Sequence, residues 1–123
     1  MTGSYGQYTA VPAVKVVKLP SGLKEENVLG SYLMGMTALS LVKESYEVKK
    51  GDYILVHAAA GGVGLLMCQI LKDLGAIVIG TASTKEKCDA AKAHGADHMI
   101  NYKENTNWVD AVKQIVPEGV HCV

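Results

Sequence analysis

A short apolar run that ends in a glycine-rich turn constrains this chain more than any other feature. The run begins at Ile54, the turn reads Ala58-Ala59-Ala60-Gly61-Gly62-Val63-Gly64, and a helical pattern follows to Leu74. Gly75 stands where a helix-ending glycine is typical, and residues 77–79 restart an apolar strand. This order of strand, turn, helix and strand predicts one βαβ unit of a parallel α/β fold.

The glycines of this turn fit a phosphate-binding role. A pyrophosphate needs backbone N–H groups aimed at it from a helix N-terminus, and side chains at the turn would hold the phosphates away. Gly61 allows that close approach, and Gly64 allows the helix to lie against the strand. The fingerprint Gly-x-Gly-x-x-Gly is present with Ala59 in place of its first glycine. We therefore predict a dinucleotide-binding turn, the alternative being a tight connection in another parallel α/β protein.

The end of the second strand predicts which dinucleotide binds. An NAD site places Asp or Glu about twenty residues beyond the glycines, whereas an NADP site needs neutral or basic groups around the 2′-phosphate. Residues 80–84 read Gly-Thr-Ala-Ser-Thr, without an acid, and Lys87 follows. Ser83 can donate a hydrogen bond and Lys87 can bring a positive charge, so NADPH is the expected cofactor. Ser83 or Thr84 could equally cap the helix that begins at Lys85, and both roles can hold at once.

Length and composition define the class of chain. The 123 residues suffice for one domain with a core, and a formal net charge of zero argues against a nucleic-acid or membrane partner. Residues 1–20 lack a secretory pattern and no apolar run reaches membrane-spanning length, so a cytoplasmic location is expected. Cys68, Cys88 and Cys122 are scattered, which fits reduced thiols, with Cys68 in the core. No Cys or His pair has metal-ligand spacing, so no metal site is predicted.

The remaining segments alternate between strand and helix patterns. Residues 5–11 and 15–19 have strand composition, and residues 23–46 read as a helix interrupted at Gly30 or Gly35. Downstream of the βαβ unit, the expected elements are helices over 85–94 and 105–116, a third strand at 98–100 and a fourth that begins at 120. The predicted fold is therefore a partial Rossmann domain, a doubly wound parallel sheet of about four strands, preceded by a short β segment.

Several segments together resemble one family, the zinc-independent quinone oxidoreductases of zeta-crystallin type in the medium-chain dehydrogenase/reductase superfamily. The most specific match combines residues 59–64 with Ile100-Asn101-Tyr102. Fungal members look especially similar. The other matching stretches are residues 3–8, 11–13, 35–38, 80–84 with Lys87, and 95–97.

This resemblance implies a role for each residue of the cofactor site. In the family pattern, the pyrophosphate is bound by the backbone of Ala60, Gly61, Gly62 and Val63. Ser83 and Lys87 match the residues that bind the adenosine 2′-phosphate, and Tyr102 matches a residue at the same end of NADPH. Thr37 matches a threonine near the nicotinamide. Without the resemblance, Tyr102 would be a half-buried strand-end tyrosine and Thr37 an ordinary helix residue. His57 is interpreted as structural because its neighbours are apolar, and Trp108 as core.

The implied chemistry is direct hydride transfer from NADPH to a quinone or a similar conjugated carbonyl compound, with no catalytic side chain and no metal required. The family's substrate lobe would precede residue 1, so we expect residues 1–20 to be the remnant of that lobe and residues 21–123 an incomplete NADP-binding Rossmann domain. We expect this fragment to be inactive alone and its full-length parent to be a homodimer. The alternatives are a nucleotide-binding module without turnover, including an RNA-associating relative, and an enone or enoyl reductase of the same superfamily.

Overall fold

A parallel three-stranded sheet forms the centre of the computed structural model, which describes residues 5–123. The strands are β1 (Tyr53–Val56), β2 (Ile77–Ala82) and β3 (His98–Asn101), in the spatial order β1-β2-β3. Tyr53 lies opposite Ile77 in the first pair, and Ile79 lies opposite His98 in the second. The predicted parallel α/β fold class is confirmed.

Within the described range, four α-helices surround the sheet. They are α1 (Glu25–Ser40), α2 (Gly62–Asp73), α3 (Lys85–Ala93) and α4 (Trp108–Ile115). A π-helical turn at Leu41–Ser45 extends α1, and a short 3-10 helix lies at Ala13–Lys15. None of the helices in this range combines the length and the apolar character that crossing a membrane requires.

Both faces of the sheet are covered at β1 and β2, which explains why these two strands are largely apolar runs without alternation. Helices α2 and α3 cover one face, where Ile54, Val56 and Val78 pack against Leu71 and other apolar side chains, and α1 packs against α2. Helix α4 covers the other face. Its core there consists of Leu55, Ile79, Ile100, Val112 and Val116.

The chain reverses its winding direction after α4. The crossovers from β1 to β2 and from β2 to β3 proceed to one side, and the chain then returns to the free edge of β1, where Cys122 forms a parallel bridge with Ile54. The Leu55 N–H donates to the Cys122 carbonyl at 2.9 Å. Open α/β sheets bind ligands outside the carboxyl ends of their strands at such a reversal point. The turn after β1 lies there.

Two predictions of β structure were wrong. The fourth strand is a single bridge at Cys122, so the described sheet has three strands rather than four. Residues 5–19 form no strand, and their regular structure is the 3-10 helix at Ala13–Lys15. A strand needs a neighbour for its N–H and C=O groups, and no described segment pairs with these residues. Gly3 and Ser4 of the family pattern lie outside the described residues.

The predicted break in the first helix was also misplaced. Helix α1 runs without interruption through Gly30 and Gly35, and its geometry changes at Leu41–Ser45 instead. A Cβ on Gly35 would lie 4.0 Å from Leu66 Cδ1 of α2. Packing against α2 therefore offsets the helix-forming cost of Gly35, which is about 1 kcal/mol, whereas a Cβ on Gly30 would meet nothing within 4 Å.

The boundaries of the βαβ unit follow the prediction closely. Gly75, with φ +79°, ends α2, and Gly95, with φ +110°, follows α3. Cys68 is fully buried, as predicted for a core residue, and burial raises the pKa of its thiol to about 11. A thiol in that state is a packing group rather than a nucleophile.

Candidate nucleotide-binding site

The connection from β1 to α2 is a tight turn with a strained backbone. Ala58 has φ +51°, a left-handed conformation that costs a residue with a Cβ about 1–2 kcal/mol. Hydrogen bonds hold it in place: the Gly61 N–H donates to the Ala58 carbonyl at 2.8 Å, and the Ala59 N–H donates to the Thr81 carbonyl at 3.0 Å. Strain that is retained by surrounding bonds is typical of binding sites.

Two glycines bring α2 against this turn. A Cβ on Gly64 would lie 2.5 Å from the Ala58 carbonyl oxygen and 2.8 Å from Ala59 Cα, distances that real Cβ atoms do not adopt. A Cβ on Gly61 would lie 3.2 Å from the same oxygen. The predicted close packing at Gly64 is confirmed.

The N-termini of α2 and α3 differ in how their N–H groups are satisfied. Gly61, the N-cap of α2, supplies no side-chain cap, so the first N–H groups of α2 point outward without an intrahelical acceptor. Together with the helix dipole they can attract an anion. At α3, the Thr84 hydroxyl accepts the Lys87 N–H at 3.3 Å. The capping role considered for Thr84 is therefore confirmed.

A cavity of about 160 Å³ opens beside the α2 N-terminus, at the carboxyl ends of the strands. The turn after β1, the end of β2, the start of α3 and the segment after β3 all contribute to its walls. It is lined by Ala58, Ala60, Gly61, Ala82, Ser83, Lys87 and Tyr102.

Five of the residues predicted from the sequence therefore meet in one cavity. They are Ala60, Gly61, Ser83, Lys87 and Tyr102. The parallel sheet explains this convergence, because the carboxyl ends of parallel strands meet at one edge. Their binding of a cofactor stays a prediction.

Three other predicted residues lie outside this lining. A Cβ on Gly62 would lie 2.0 Å from Met34 Sδ, so the glycine also makes room for α1. Val63 occupies the first turn of α2 and is half-buried. The Thr37 hydroxyl donates to the Leu33 carbonyl at 2.8 Å, and Thr37 lines a separate cavity on α1. The structure does not bring Thr37 to the other site residues, and its place near a nicotinamide stays a prediction.

The charge of the cavity comes from Lys87. Ala82, which is 3% exposed, occupies the strand end where an NAD site would carry an acid. Lys85 differs from Lys87 because its ammonium donates to the Asp89 carboxylate at 2.7 Å, a bond that raises the pKa of Lys85. The lining therefore combines a cation and a serine hydroxyl without a carboxylate.

A second cleft of about 330 Å³ adjoins this cavity and shares Ala58 and Tyr102 with it. His57, Thr81 and Trp108 complete its walls. His57 Nδ1 lies 3.0 Å from the Thr81 hydroxyl oxygen, and the imidazole meets the Trp108 ring at 90° with centroids 5.1 Å apart.

His57 is exposed and lines this cleft, and its neighbours include the polar Thr81 rather than apolar side chains alone. Its contacts with Thr81 and Trp108 are compatible with the structural interpretation, which stays a prediction. Trp108 packs against the α4 core, as predicted, but it also lines the cleft. The sequence signal for His57 was its position at the end of a buried strand, directly before the glycine turn. The partners of His57 come from residues 24 and 51 positions further along the chain, which no local pattern reveals.

Residues 62–123 match the family model described as zinc-binding dehydrogenase. The chain therefore belongs to this family, within the medium-chain dehydrogenase/reductase superfamily. The zinc of the family's name does not fit the part of the chain that the structure covers, since residues 5–123 contain no group of three His, Cys, Asp or Glu side chains placed to hold a metal ion.

Curated relatives agree with this assignment. The chain is 44% identical over 107 residues to a probable quinone oxidoreductase of Schizosaccharomyces pombe, a match covering 87% of this chain and 32% of the relative. It is 41% identical over 113 residues to quinone oxidoreductase 1 of Escherichia coli, a match covering 92% of this chain and 34% of that relative. It is 44% identical over 115 residues to 2-haloacrylate reductase of a Burkholderia species, covering 92% and 34%. The chain spans about a third of the length of these relatives.

Solved structures share the fold. The Escherichia coli quinone oxidoreductase complexed with NADPH superimposes with a TM-score of 0.79 at 42% identity, covering 82% of this chain and 31% of that one. An NAD-dependent alcohol dehydrogenase superimposes with a TM-score of 0.83 at 34% identity, and the match covers 96% of this chain and 34% of that one. The Rossmann-type fold class is confirmed. The relatives come from bacteria, a yeast, a protozoan and mammals, so the expected fungal affinity is not supported.

Proposed function

We propose that this chain forms the NADPH-binding part of a reductase that transfers hydride from NADPH to a quinone. The observation that carries the proposal is the cavity in which Gly61, Ser83, Lys87 and Tyr102 meet beside the uncapped N-terminus of α2. Its support comes from relatives named quinone oxidoreductases and from the similar structure that was solved with NADPH.

In this proposal each wall of the cavity has one task. The pyrophosphate lies at the first N–H groups of α2, where the absence of a side chain at Gly61 permits close approach. The 2′-phosphate lies between Ser83 and Lys87, with Tyr102 beside it. The adenine base extends into the adjoining cleft. NADPH, when bound, supplies the hydride, and the described residues bind and orient its adenosine end.

The organisation of the whole protein belongs to the same proposal. Residues 1–20 continue from a substrate lobe, and residues 21–123 form the first part of the nucleotide-binding domain. The full-length protein acts as a homodimer in the cytoplasm, on quinones or related conjugated carbonyl compounds. The neutral net charge supports a function without nucleic acid.

A second candidate is a reductase of conjugated carbon–carbon double bonds. It is favoured by the 2-haloacrylate reductase at 44% identity and by a mouse prostaglandin reductase-3 at 42% identity over 122 residues. Both candidates share the cofactor half and differ in the acceptor. Parallel assays of the full-length protein with a small quinone and with 2-haloacrylate distinguish them by which substrate gives the larger kcat/KM.

Calorimetric titration with NADPH and NADH tests the cofactor proposal. The unmodified chain should bind NADPH more tightly, because only NADPH carries the 2′-phosphate. Lys87→Ala removes a charge-assisted hydrogen bond worth about 1.5–3 kcal/mol, so its affinity for NADPH should fall roughly ten- to a hundredfold while its affinity for NADH stays the same.

Lys85→Ala is the matched control, because Lys85 pairs with Asp89 and does not line the cavity. It should bind NADPH like the unmodified chain. Equal affinity of the unmodified chain for the two cofactors, or equal effects of the two substitutions, would contradict the assignment of the 2′-phosphate to Lys87.

A further inference from the structure

Thr81 is one of two buried polar side chains in the described chain, with 2% of its surface exposed. Its carbonyl accepts the Ala59 N–H at 3.0 Å, and its hydroxyl meets His57 Nδ1 at 3.0 Å. Thr81 therefore holds both neighbours of the strained Ala58: its hydroxyl contacts His57, and its carbonyl binds the Ala59 N–H. The bond to Thr81 holds the imidazole of His57 in the lining of the second cleft.

The burial of Thr81 assigns the tautomer of His57. A buried hydroxyl proton without an acceptor costs about 1–3 kcal/mol, whereas an unused oxygen lone pair costs less. The acceptor that the structure offers to the Thr81 hydroxyl is His57 Nδ1. The hydroxyl therefore donates, Nδ1 accepts, and the ring proton of neutral His57 is on Nε2. His57 presents an N–H donor as the polar group available to a ligand.

We propose that His57 reads the purine base of the bound nucleotide by donating its Nε2–H to a ring nitrogen, and that Thr81 is its positioning residue. This inference rests on the proposed function, because it takes the 2′-phosphate to lie at Ser83 and Lys87. The two cavities share Ala58 and Tyr102, so a base on the same ribose reaches the cleft that His57 lines.

The walls of the cleft suit a flat heteroaromatic ring. Tyr102 and Trp108 offer aromatic surface, and Ala58 adds only a methyl group to the lining. Trp108 also meets the His57 ring at 90°, which further restricts the imidazole. A purine carries acceptor nitrogens on its edge, and a cleft that combines aromatic walls with a fixed donor at His57 suits such an edge.

Two ligands separate a contact with the base from a contact with the phosphates. One is 2′,5′-ADP, and the other is the methyl riboside 2,5-bisphosphate, which has the same sugar and phosphates without the base. His57→Phe keeps an aromatic ring but loses the donor. It should bind 2′,5′-ADP about 3- to 10-fold more weakly and bind the bisphosphate unchanged, as expected for one hydrogen bond.

Substitutions at Thr81 test its positioning role in the same titrations. Thr81→Val keeps the volume but removes the hydroxyl, so it should show the same base-selective loss as His57→Phe. Thr81→Ser restores the hydroxyl and should bind 2′,5′-ADP within about twofold of the unmodified chain. A purely structural role of Thr81 would instead weaken both ligands together.

The results of these titrations distinguish a failure of the base-reading role from a failure of the proposed function. If His57→Phe loses affinity for both ligands, or keeps full affinity for both, the base-reading role is overturned while the cofactor proposal stays intact. Failure of the unmodified chain to bind 2′,5′-ADP, or full affinity for it in Lys87→Ala, would instead overturn the proposed function and this inference with it.

Discussion

At the scale of single residues, the turn after β1 concentrates features that a sequence pattern does not distinguish. Ala58, Ala59 and Ala60 look alike in the sequence, yet Ala58 adopts φ +51° while Ala59 is fully buried. The prediction that Ala59 replaces the first glycine of the fingerprint was based on its spacing from Gly61 and Gly64. The residue that adopts a glycine-like conformation is its neighbour Ala58. The Ala59 N–H donates to the Thr81 carbonyl and the Gly61 N–H donates to the Ala58 carbonyl, and these two bonds hold the backbone there.

Replacing Ala58 with glycine should stabilise the protein. The substitution removes about 1–2 kcal/mol of left-handed strain and adds about 0.5–1 kcal/mol of backbone entropy cost, which leaves a net gain of about 0.5–1 kcal/mol. Urea unfolding measures this change. Ala60→Gly, in the same turn at an ordinary φ, is the control and should destabilise the protein. Equal effects of the two substitutions would show that Ala58 is not strained.

Gly61→Ala should weaken NADPH and NADH alike. Gly61 lines the cavity beside the α2 N-terminus, so we expect an added methyl group to keep a pyrophosphate, common to both cofactors, from the helix N–H groups. This effect contrasts with the NADPH-selective loss expected for Lys87→Ala, and the same calorimetric titration measures both. Normal binding of both cofactors by a folded Gly61→Ala variant would exclude the glycine turn as the phosphate site.

At the scale of elements, the packing of α2 against the turn depends on Gly64. A Cβ there would lie 2.5 Å from a backbone oxygen, which cannot rotate away as a side chain can. Gly64→Ala should therefore cost about 1–3 kcal/mol of unfolding free energy or more. Gly30→Ala is the control, because nothing lies within 4 Å of a Cβ at Gly30, and alanine should stabilise α1 slightly. Thermal unfolding of both variants measures the difference.

The carboxylate of Asp97 links α2 to β2 and gives the fold an acid-sensitive contact. It is paired with the Lys72 ammonium and accepts the Val78 N–H at 2.9 Å. Burial alone would raise the pKa of Asp97, but these two hydrogen bonds together hold it below its ordinary value. A carboxyl whose pKa is lower in the folded than in the unfolded state stabilises the fold at neutral pH, and this contribution is lost as the pH falls through both pKa values.

Asp97→Asn should therefore reduce the unfolding free energy at pH 7 and reduce its loss below about pH 4. Urea unfolding measured at several pH values between neutral and acidic tests this expectation. An unchanged slope of stability against pH in the variant would contradict the role of Asp97.

The sequence predicted the βαβ unit well because its signals are local. The apolar run before the turn, Gly64 inside it and Gly75 after α2 each act over a few residues. Residues 5–19 failed as strands because strand formation depends on a partner, which composition does not supply. Five of the seven residues that line the first cavity were predicted, because they lie in or near the βαβ unit or match the family pattern. The His57 cleft instead depends on Thr81 and Trp108, which only the folded sheet and α4 bring together.

At the scale of the whole molecule, α1 carries an exposed apolar stripe on the side away from α2. Leu29 is 83% exposed and Leu33 76%, and Tyr32 and Met36 complete the stripe at helical spacing. An apolar patch of this kind on a soluble surface favours association. The chain as described should therefore self-associate as its concentration rises.

The double substitution of Leu29 and Leu33 by lysine should suppress that association without lowering the unfolding free energy, because both side chains are exposed. Sedimentation velocity at several concentrations measures it. A control with lysine at Ser31, which is exposed on another face of α1, should associate like the unmodified chain. Unchanged association of the double variant would show that the stripe is not the contact surface.

Mapping of NADPH onto the backbone amides of the 123-residue chain by NMR tests the central claim most directly. Titration with NADPH should shift the amide signals of Gly62, Val63, Ser83, Lys87 and Tyr102, and titration with NADH should leave Ser83 and Lys87 much less affected. Shifts centred instead on the separate cavity of α1, or no shifts at millimolar NADPH, would contradict the assignment of this site to the cofactor.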